Sequence, residues 1–172
     1  MTAVGIVSDT HLPRFGRTLP RALVAGLRDE RVDWILHCGD MTDLFAVDLF
    51  AAIAPVEAVA GNNDGADIRE RFGRKKIITI EDVRIGLIHG DAGSHAAPRN
   101  AFEAFAGEAV DVICFGHSHR PLRERRGRLL MLNPGSPTDK RMNPRYSYAI
   151  MRIDAGRIVD SRLEYYFDRS PG

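Results

Sequence analysis

Apolar runs recur along the chain, and most stop at a glycine or at a side chain with an oxygen or nitrogen donor. Residues 3–8 (AVGIVS) predict a buried strand ending at Asp9. Leu23, Val24 and Leu27 repeat at helical spacing within 20–29. Residues 33–37 (DWILH) predict a second buried strand, closed by Gly39 and Asp40. Thr42 is placed to cap a helix over 43–53, with Leu44, Val47 and Ala51 on one face. Residues 56–60 (VEAVA) make a third strand, stopped by GNND, and a short helix follows near 66–72.

The pattern then changes. KKIITI and VRIGLIHG flank Glu81-Asp82 and predict a hairpin. Pro98 opens a helix whose apolar stripe is Ala101, Phe102, Phe105 and Ala106. DVICF, PLRERR, RLLMLN, SYAIMRI and RIVDSRLEYYF all predict strands, LEYYF at 163–167 as an edge. Strand and helix alternate early, and antiparallel strand dominates late. Two mixed sheets stacked face to face with helices outside, an α/β architecture, satisfy both halves. A single domain over 1–168 is expected, with residues 169–172 as a frayed tail.

The length of 172 residues suits one core, and 44% hydrophobic with 27% charged residues is ordinary for a soluble protein. A formal net charge of +1 gives no bulk affinity for a nucleic-acid polymer or a membrane, so any phosphate affinity must be local. Cys38 and Cys114 lie beside apolar runs without CxxC spacing, which predicts buried free thiols and a cytoplasmic setting. The N-terminal apolar run is too short for a signal peptide or a membrane span.

The chemistry sits where the strands stop. Their ends supply Asp9 and His11, Asp40, Asn62 with Asn63 and Asp64, His89, and His117 with His119. If these ends meet, the side chains converge on one volume, as ligands do at the carboxyl ends of α/β sheets. In an extended segment, residues i and i+2 point the same way, so each spaced pair is expected to face a common centre. Imidazole mixed with carboxylate and amide oxygen suits Mn²⁺, Fe, Zn²⁺ or Ni²⁺ better than Ca²⁺ or Mg²⁺. The donors outnumber what one tetrahedral ion needs and suit two ions roughly 3.5–4 Å apart sharing a carboxylate.

The ordered series Asp-x-His, Gly-Asp, Gly-Asn, His-Gly and Gly-His-x-His resembles the calcineurin-like metallophosphoesterases. The short length and NPGSP at 133–137 resemble the small bacterial and archaeal phosphodiesterase branch, and the likeness runs from Asp9 to about Pro137. It implies a four-layer αββα sandwich. It places Asp9, His11, Asp40 and His119 on one divalent ion, and Asp40, Asn62, His89 and His117 on a second. Mn²⁺ is the favoured ion, with Ni²⁺, Zn²⁺, Fe and Mg²⁺ as alternatives. The activity implied is phosphodiester hydrolysis by in-line attack of a hydroxide held between the ions. Asn63 stands where many superfamily members carry a histidine that assists the leaving group. This disfavours alkyl monoesters, and Asp64 is the candidate substitute acid.

Other residues have more ordinary readings. His37 is a core histidine or one that orients a ligand. His95 is a solvated loop residue, and Asn133 braces a loop or simply turns it. Arg120, Arg123, Arg125, Arg126 and Arg128 form a solvated hairpin, with Arg120 the best candidate for contacting substrate phosphate. Arg14 and Arg17 are further candidates. The expected partner is a small phosphoester, with a homodimer or higher homo-oligomer as an option. The alternatives are a phosphomonoesterase or dinucleoside polyphosphate hydrolase, and a non-catalytic protein-binding scaffold of the same fold. The resemblance implies that the scaffold lacks part of the Gly-His-x-His set, which this chain keeps.

Overall fold

The computed structural model describes residues 1–172. The elements are β1 (Thr2–Val7), α1 (Arg21–Asp29), β2 (Trp34–His37), α2 (Phe45–Ala51), β3 (Val56–Ala58), α3 (Ala66–Phe72), β4 (Lys75–Ile80), β5 (Val83–Ile88), α4 (Ala97–Ala104), β6 (Val112–Cys114), β7 (Leu122–Arg126), β8 (Leu129–Asn133), β9 (Tyr146–Asp154) and β10 (Arg157–Tyr166). They form two five-stranded sheets, ordered β10-β9-β1-β2-β3 and β4-β5-β6-β8-β7. In the first, β1, β2 and β3 are parallel while β9 and β10 run antiparallel. In the second, β5, β6 and β8 are parallel between antiparallel edges β4 and β7.

Alternation along the strands sorts side chains into layers. Val4 and Ile6 of β1 face the second sheet, in a core with Leu36, Cys38, Ile85, Leu87, Cys114 and Leu132. Val7 and Ile35 face outward, where Leu23 and Leu27 of α1 and Phe50 of α2 cover them. On the far side, Ala97, Ala101 and Phe105 pack against Ile113 and Met131. The result is the four-layer αββα sandwich. Both cysteines are free and buried between the sheets. No helix is long and apolar enough to cross a membrane.

Three expectations need correction. Thr42 does not cap α2: its φ is 70°, its hydroxyl donates to the Leu12 carbonyl, and the Asp43 carboxylate accepts from the Phe45 amide instead. Phe102 and Ala106 are exposed, and the Arg126 guanidinium lies 5.0 Å from the Phe102 ring. The helix turns its Ala97–Ala101 face inward, and Phe105 enters the core only after the helix ends. The last residues are pinned, because the Arg21 amide donates to the Ser170 carbonyl (2.8 Å) and the Gly172 amide to the Leu19 carbonyl (3.1 Å).

Candidate metal centre

The strand ends meet at one edge of the sandwich. Asp9 Oδ1, beyond β1, lies 3.4 Å from His119 Nε2, 3.7 Å from His89 Nε2 and 3.9 Å from His11 Nε2. Asp40 Oδ2, beyond β2, lies 3.2 Å from His89 Nε2 and 3.5 Å from His11 Nε2. Two overlapping donor groups result, Asp9–His11–His119 and Asp9–Asp40–His89, with ligand atoms within 4.8 Å of one another in each. Asp9 Oδ1 and the Nε2 atoms of His11, His89 and His119 are buried without a hydrogen-bond partner. Each such atom costs on the order of 1–3 kcal/mol when left unpaired. Cations held by these two groups would satisfy all four atoms, so the residues fit a metal.

Neighbouring groups fix which atoms point inward. Asp9 Oδ2 accepts from the Ser8 hydroxyl (2.7 Å) and the His117 amide (2.9 Å), leaving Oδ1 to the centre. His89 Nδ1 donates to the Cys38 carbonyl at 2.8 Å, and His119 Nδ1 to the Asp139 carbonyl at 2.6 Å. A carbonyl can only accept, so Nδ1 carries the proton of each neutral ring and Nε2 is the atom left to bind a cation. Ser136 donates to the Asp9 carbonyl (2.8 Å) and Thr138 to the Thr10 carbonyl (2.7 Å), tying the loop after β8 to the loop after β1. Asn133 donates to the Gly116 carbonyl at 3.1 Å, the bracing option of its two readings.

The spaced pairs converge for a different reason from the one expected. Asp9, His11, Asp40, His117 and His119 all have left-handed backbones, with φ of 57°, 45°, 59°, 71° and 58°. None of them continues a strand. This conformation costs roughly 1–2 kcal/mol for a residue with a Cβ. Such strain collects at functional sites, where the surrounding structure holds it in place.

Charge is crowded here. Burial pushes the Asp9 carboxyl up to about 7. At His89 burial opposes the charged ring, but Asp40 and Asp9 outweigh it and lift the imidazole to about 9. Burial also opposes the Asp40 anion, yet His89 and Asn63 hold that carboxyl well below its usual range. Burial lowers His11 and His117, and brings His119 down to about 4.

Not every expected residue enters the cluster. Asn62 is exposed in the turn that the Asp64 amide closes on the Gly61 carbonyl. His117 is half-buried, its ring 5.1 Å from that of His89. Asn63 clamps Asp40, its amide donating to Oδ1 (2.9 Å) and its side chain to Oδ2 (2.8 Å). Asp64 is not free to serve as an acid, because its carboxylate accepts from the Asp40, Thr42 and Gly61 amides at 2.8, 2.7 and 2.7 Å. Arg14 and Arg120 are exposed, Arg14 against the Phe15 ring at 5.3 Å. Arg123 donates to Ser161, Arg125 to the Arg128 carbonyl and Arg126 to Glu124, so those three serve their own hairpin surroundings. His95 is an exposed loop residue. Ser8, Ser136, Thr138 and Asp139 were missed. Their partners lie up to 128 residues away in sequence, and only NPGSP marked their neighbourhood.

His37 yields a pH prediction. The Gly39 amide donates to its Nδ1 (3.1 Å), so Nε2 carries the proton and meets Thr10 Oγ1 at 3.0 Å. Burial pushes its pKa from 6.5 down to about 3. Between those values the unfolded chain binds the extra proton, so stability falls as pH drops from about 6.5 towards 3. His37→Gln is expected to remove about 2–3 kcal/mol of the loss accumulated by pH 4.5. Thermal melts between pH 7 and 4.5 check this, and a slope equal to the wild type would show that His37 is not held neutral.

Fold and site together define a metal-binding α/β sandwich protein. The chain belongs to the calcineurin-like phosphoesterase superfamily, whose domain matches residues 2–156. It is 40% identical over 161 residues to a probable metallophosphoesterase of Methanocaldococcus jannaschii, covering 93% of this chain and 79% of that one. It is 30% identical over 146 residues to a phosphodiesterase of the same archaeon, covering 77% and 82%. A solved archaeal phosphodiesterase superimposes with a TM-score of 0.73 at 26% identity, over 96% of this chain and 100% of the other. The zinc complex of Vps29 from Entamoeba histolytica shares the fold, with a TM-score of 0.78 at 22% identity over 96% and 98%.

Proposed function

We propose that this chain is a dinuclear metal-dependent phosphodiesterase acting on a small phosphoester. The observation that carries the reading is the set of four buried, unpartnered donor atoms divided over two overlapping donor groups, with a second carboxylate within 3.5 Å of two of them. Asp9, His11 and His119 would hold one ion, and His89 with His117 and Asn62 the other. Asp40, lying between His11 and His89, would belong to both. Bound divalent ions, Mn²⁺ foremost, would supply an acidified water and polarise the P–O bond. The protein's part is to fix the lone pairs inward through Ser8, Cys38 and Asp139, and to hold Asp40 through Asn63.

The test is metal-stripped protein assayed on bis(p-nitrophenyl) phosphate and p-nitrophenyl phosphate, with Mn²⁺, Ni²⁺, Zn²⁺ or Mg²⁺ added back. Metal-dependent turnover that favours the diester is expected. No turnover with any metal would overturn the enzyme reading and favour the scaffold. Asn63 gives a sharper probe, since its amide cannot give up a proton to a leaving alkoxide and is already committed to Asp40. Asn63→His is expected to raise the monoester-to-diester ratio by about tenfold or more, a part of what a positioned acid contributes. An unchanged ratio would show that this position does not govern the leaving group.

A further inference from the structure

A side chain near the end of the chain joins the loops that carry the first ion's donors. Arg169 follows β10 and lies beyond residues 2–156, the span of the family domain. Its guanidinium donates to the Thr138 carbonyl at 2.9 Å. The same guanidinium lies 5.4 Å from the Phe15 ring and 6.0 Å from the Tyr146 ring. One side chain therefore touches the loop after β1, the loop after β8 and the start of β9. Its backbone is held in place, because the Ser170 carbonyl accepts from the Arg21 amide (2.8 Å) and the Asp168 carboxylate from the Ser170 amide (2.8 Å).

The loop contacts lead directly to candidate ligands. The Thr138 hydroxyl donates to the Thr10 carbonyl (2.7 Å), between Asp9 and His11. Beside Thr138, the Asp139 carbonyl accepts the His119 Nδ1 proton at 2.6 Å. The Asp139 amide donates to Ser136 Oγ (2.8 Å), which in turn donates to the Asp9 carbonyl (2.8 Å). The Phe15 amide donates to the His11 carbonyl (3.2 Å), and its ring stands edge-on to the His11 imidazole, 6.4 Å between centroids. None of these contacts involves Asn62, His89 or His117. Arg169 is half-buried and forms no ion pair within the chain. A positive charge does not attract a metal ion, so any help it gives the centre must come from holding the loops.

We propose that Arg169 is a positioning residue for one ion of the pair: by clasping Phe15 and Thr138 it sets His11 and His119, and so governs the ion that they hold with Asp9. The second ion's donors stand apart from the clasp. This role rests on the dinuclear reading above and touches neither substrate nor metal directly.

The test compares Arg169→Met, which keeps the stem without charge or donors, with Arg169→Lys, which keeps the charge and a donor for Thr138. The Tyr166 hydroxyl still donates to the Pro137 carbonyl in both, so the loop after β8 stays docked. Arg152→Met, which removes an ion pair to Glu30, is the control for lost stability alone. Mn²⁺ is titrated into metal-stripped protein by calorimetry, and the imidazole nitrogens of the metal-free protein are followed by NMR. With Arg169→Met, the Kd of one Mn²⁺ is expected to rise about tenfold, the lower end of what an outer partner of a ligand contributes. The other ion should keep its wild-type Kd, and lysine should recover part of the loss. The His11 and His119 signals should move while those of His89 and His117 stay. Unchanged or tighter Mn²⁺ binding would overturn the proposal, the tighter case marking a charge effect. Equal weakening of both ions would also overturn it and make Arg169 a general support of the fold. If the wild type binds fewer than two ions, the dinuclear reading fails. The His11 and His119 signals then decide the role of Arg169 by themselves, and unmoved signals would end it.

Discussion

Asp40→Ala is expected to abolish phosphodiester turnover with every metal supplied. Asp40 Oδ2 lies 3.5 Å from His11 Nε2 and 3.2 Å from His89 Nε2, between one histidine of each proposed ion set. Removing a ligand shared by both ions should exceed the ~10–100-fold that losing an outer hydrogen-bond partner costs. Metal stoichiometry is the decisive reading. The donor groups leave a real competitor, because Asp9 belongs to both while Asp40 belongs to one. If Asp40 is the shared carboxylate, the variant should hold neither ion tightly. Retention of one ion at wild-type affinity would make Asp9 the bridge and confine Asp40 to the second ion. Asp40→Asn keeps the shape and can still accept one of the two contacts from Asn63, so equal loss in both variants would trace the effect to charge rather than to folding. Normal turnover in either would end the shared-carboxylate assignment.

Much of this arrangement was legible because the motif order maps onto strand order. Every apolar run that predicted a strand became one, and the candidate donors follow β1, β2, β3, β5 and β6. Strand order in the sheets was not legible. Val4 pairs with Met151 across most of the chain, and no local pattern encodes that partner. The aiming of the donors was inferred from extended geometry and arises instead from left-handed turns at Asp9, His11, Asp40, His117 and His119. Sequence spacing cannot tell those apart, since an extended segment and a left-handed kink can both carry an Asp-x-His pair. Asp64 illustrates a second limit. Beside Gly-Asn-Asn it looked like a spare acid, and only the tertiary fold shows three amides converging on it. Arg125 and Arg126 were read better, because their contacts to Arg128 and Glu124 are short in sequence, whereas Asn133 was left between two readings and its contact to Gly116 spans 17 residues.

Those three amides lead to the second large effect, at Gly61. The Gly61 and Asp40 amides both donate to Asp64 Oδ2, at 2.7 and 2.8 Å, which draws the loops after β2 and β3 into backbone contact. A Cβ on Gly61 would lie 2.1 Å from Asp40 Oδ1 and 2.7 Å from the Asp40 amide nitrogen. Rotating the carboxylate could relieve the first clash, at the cost of its aim at the centre. The second is against backbone and yields only if the loops separate. Overpacking of this kind costs about 1–3 kcal/mol. A domain of this size loses about 2–4 °C of Tm per kcal/mol. Gly61→Ala is therefore expected to lower Tm by several degrees and to weaken Mn²⁺ binding together, through displacement of Asp40. Gly73→Ala separates close approach from backbone strain: its φ is 71° and a Cβ there would meet nothing within 4 Å. It should cost about 1–3 kcal/mol of stability from a positive-φ, extended backbone (ψ 179°) that is essentially restricted to glycine, and leave Mn²⁺ affinity at the wild-type value. Melting curves paired with Mn²⁺ titrations of both variants give the comparison. If Gly61→Ala bound Mn²⁺ as tightly as Gly73→Ala, the contact between the two loops would not be what positions Asp40.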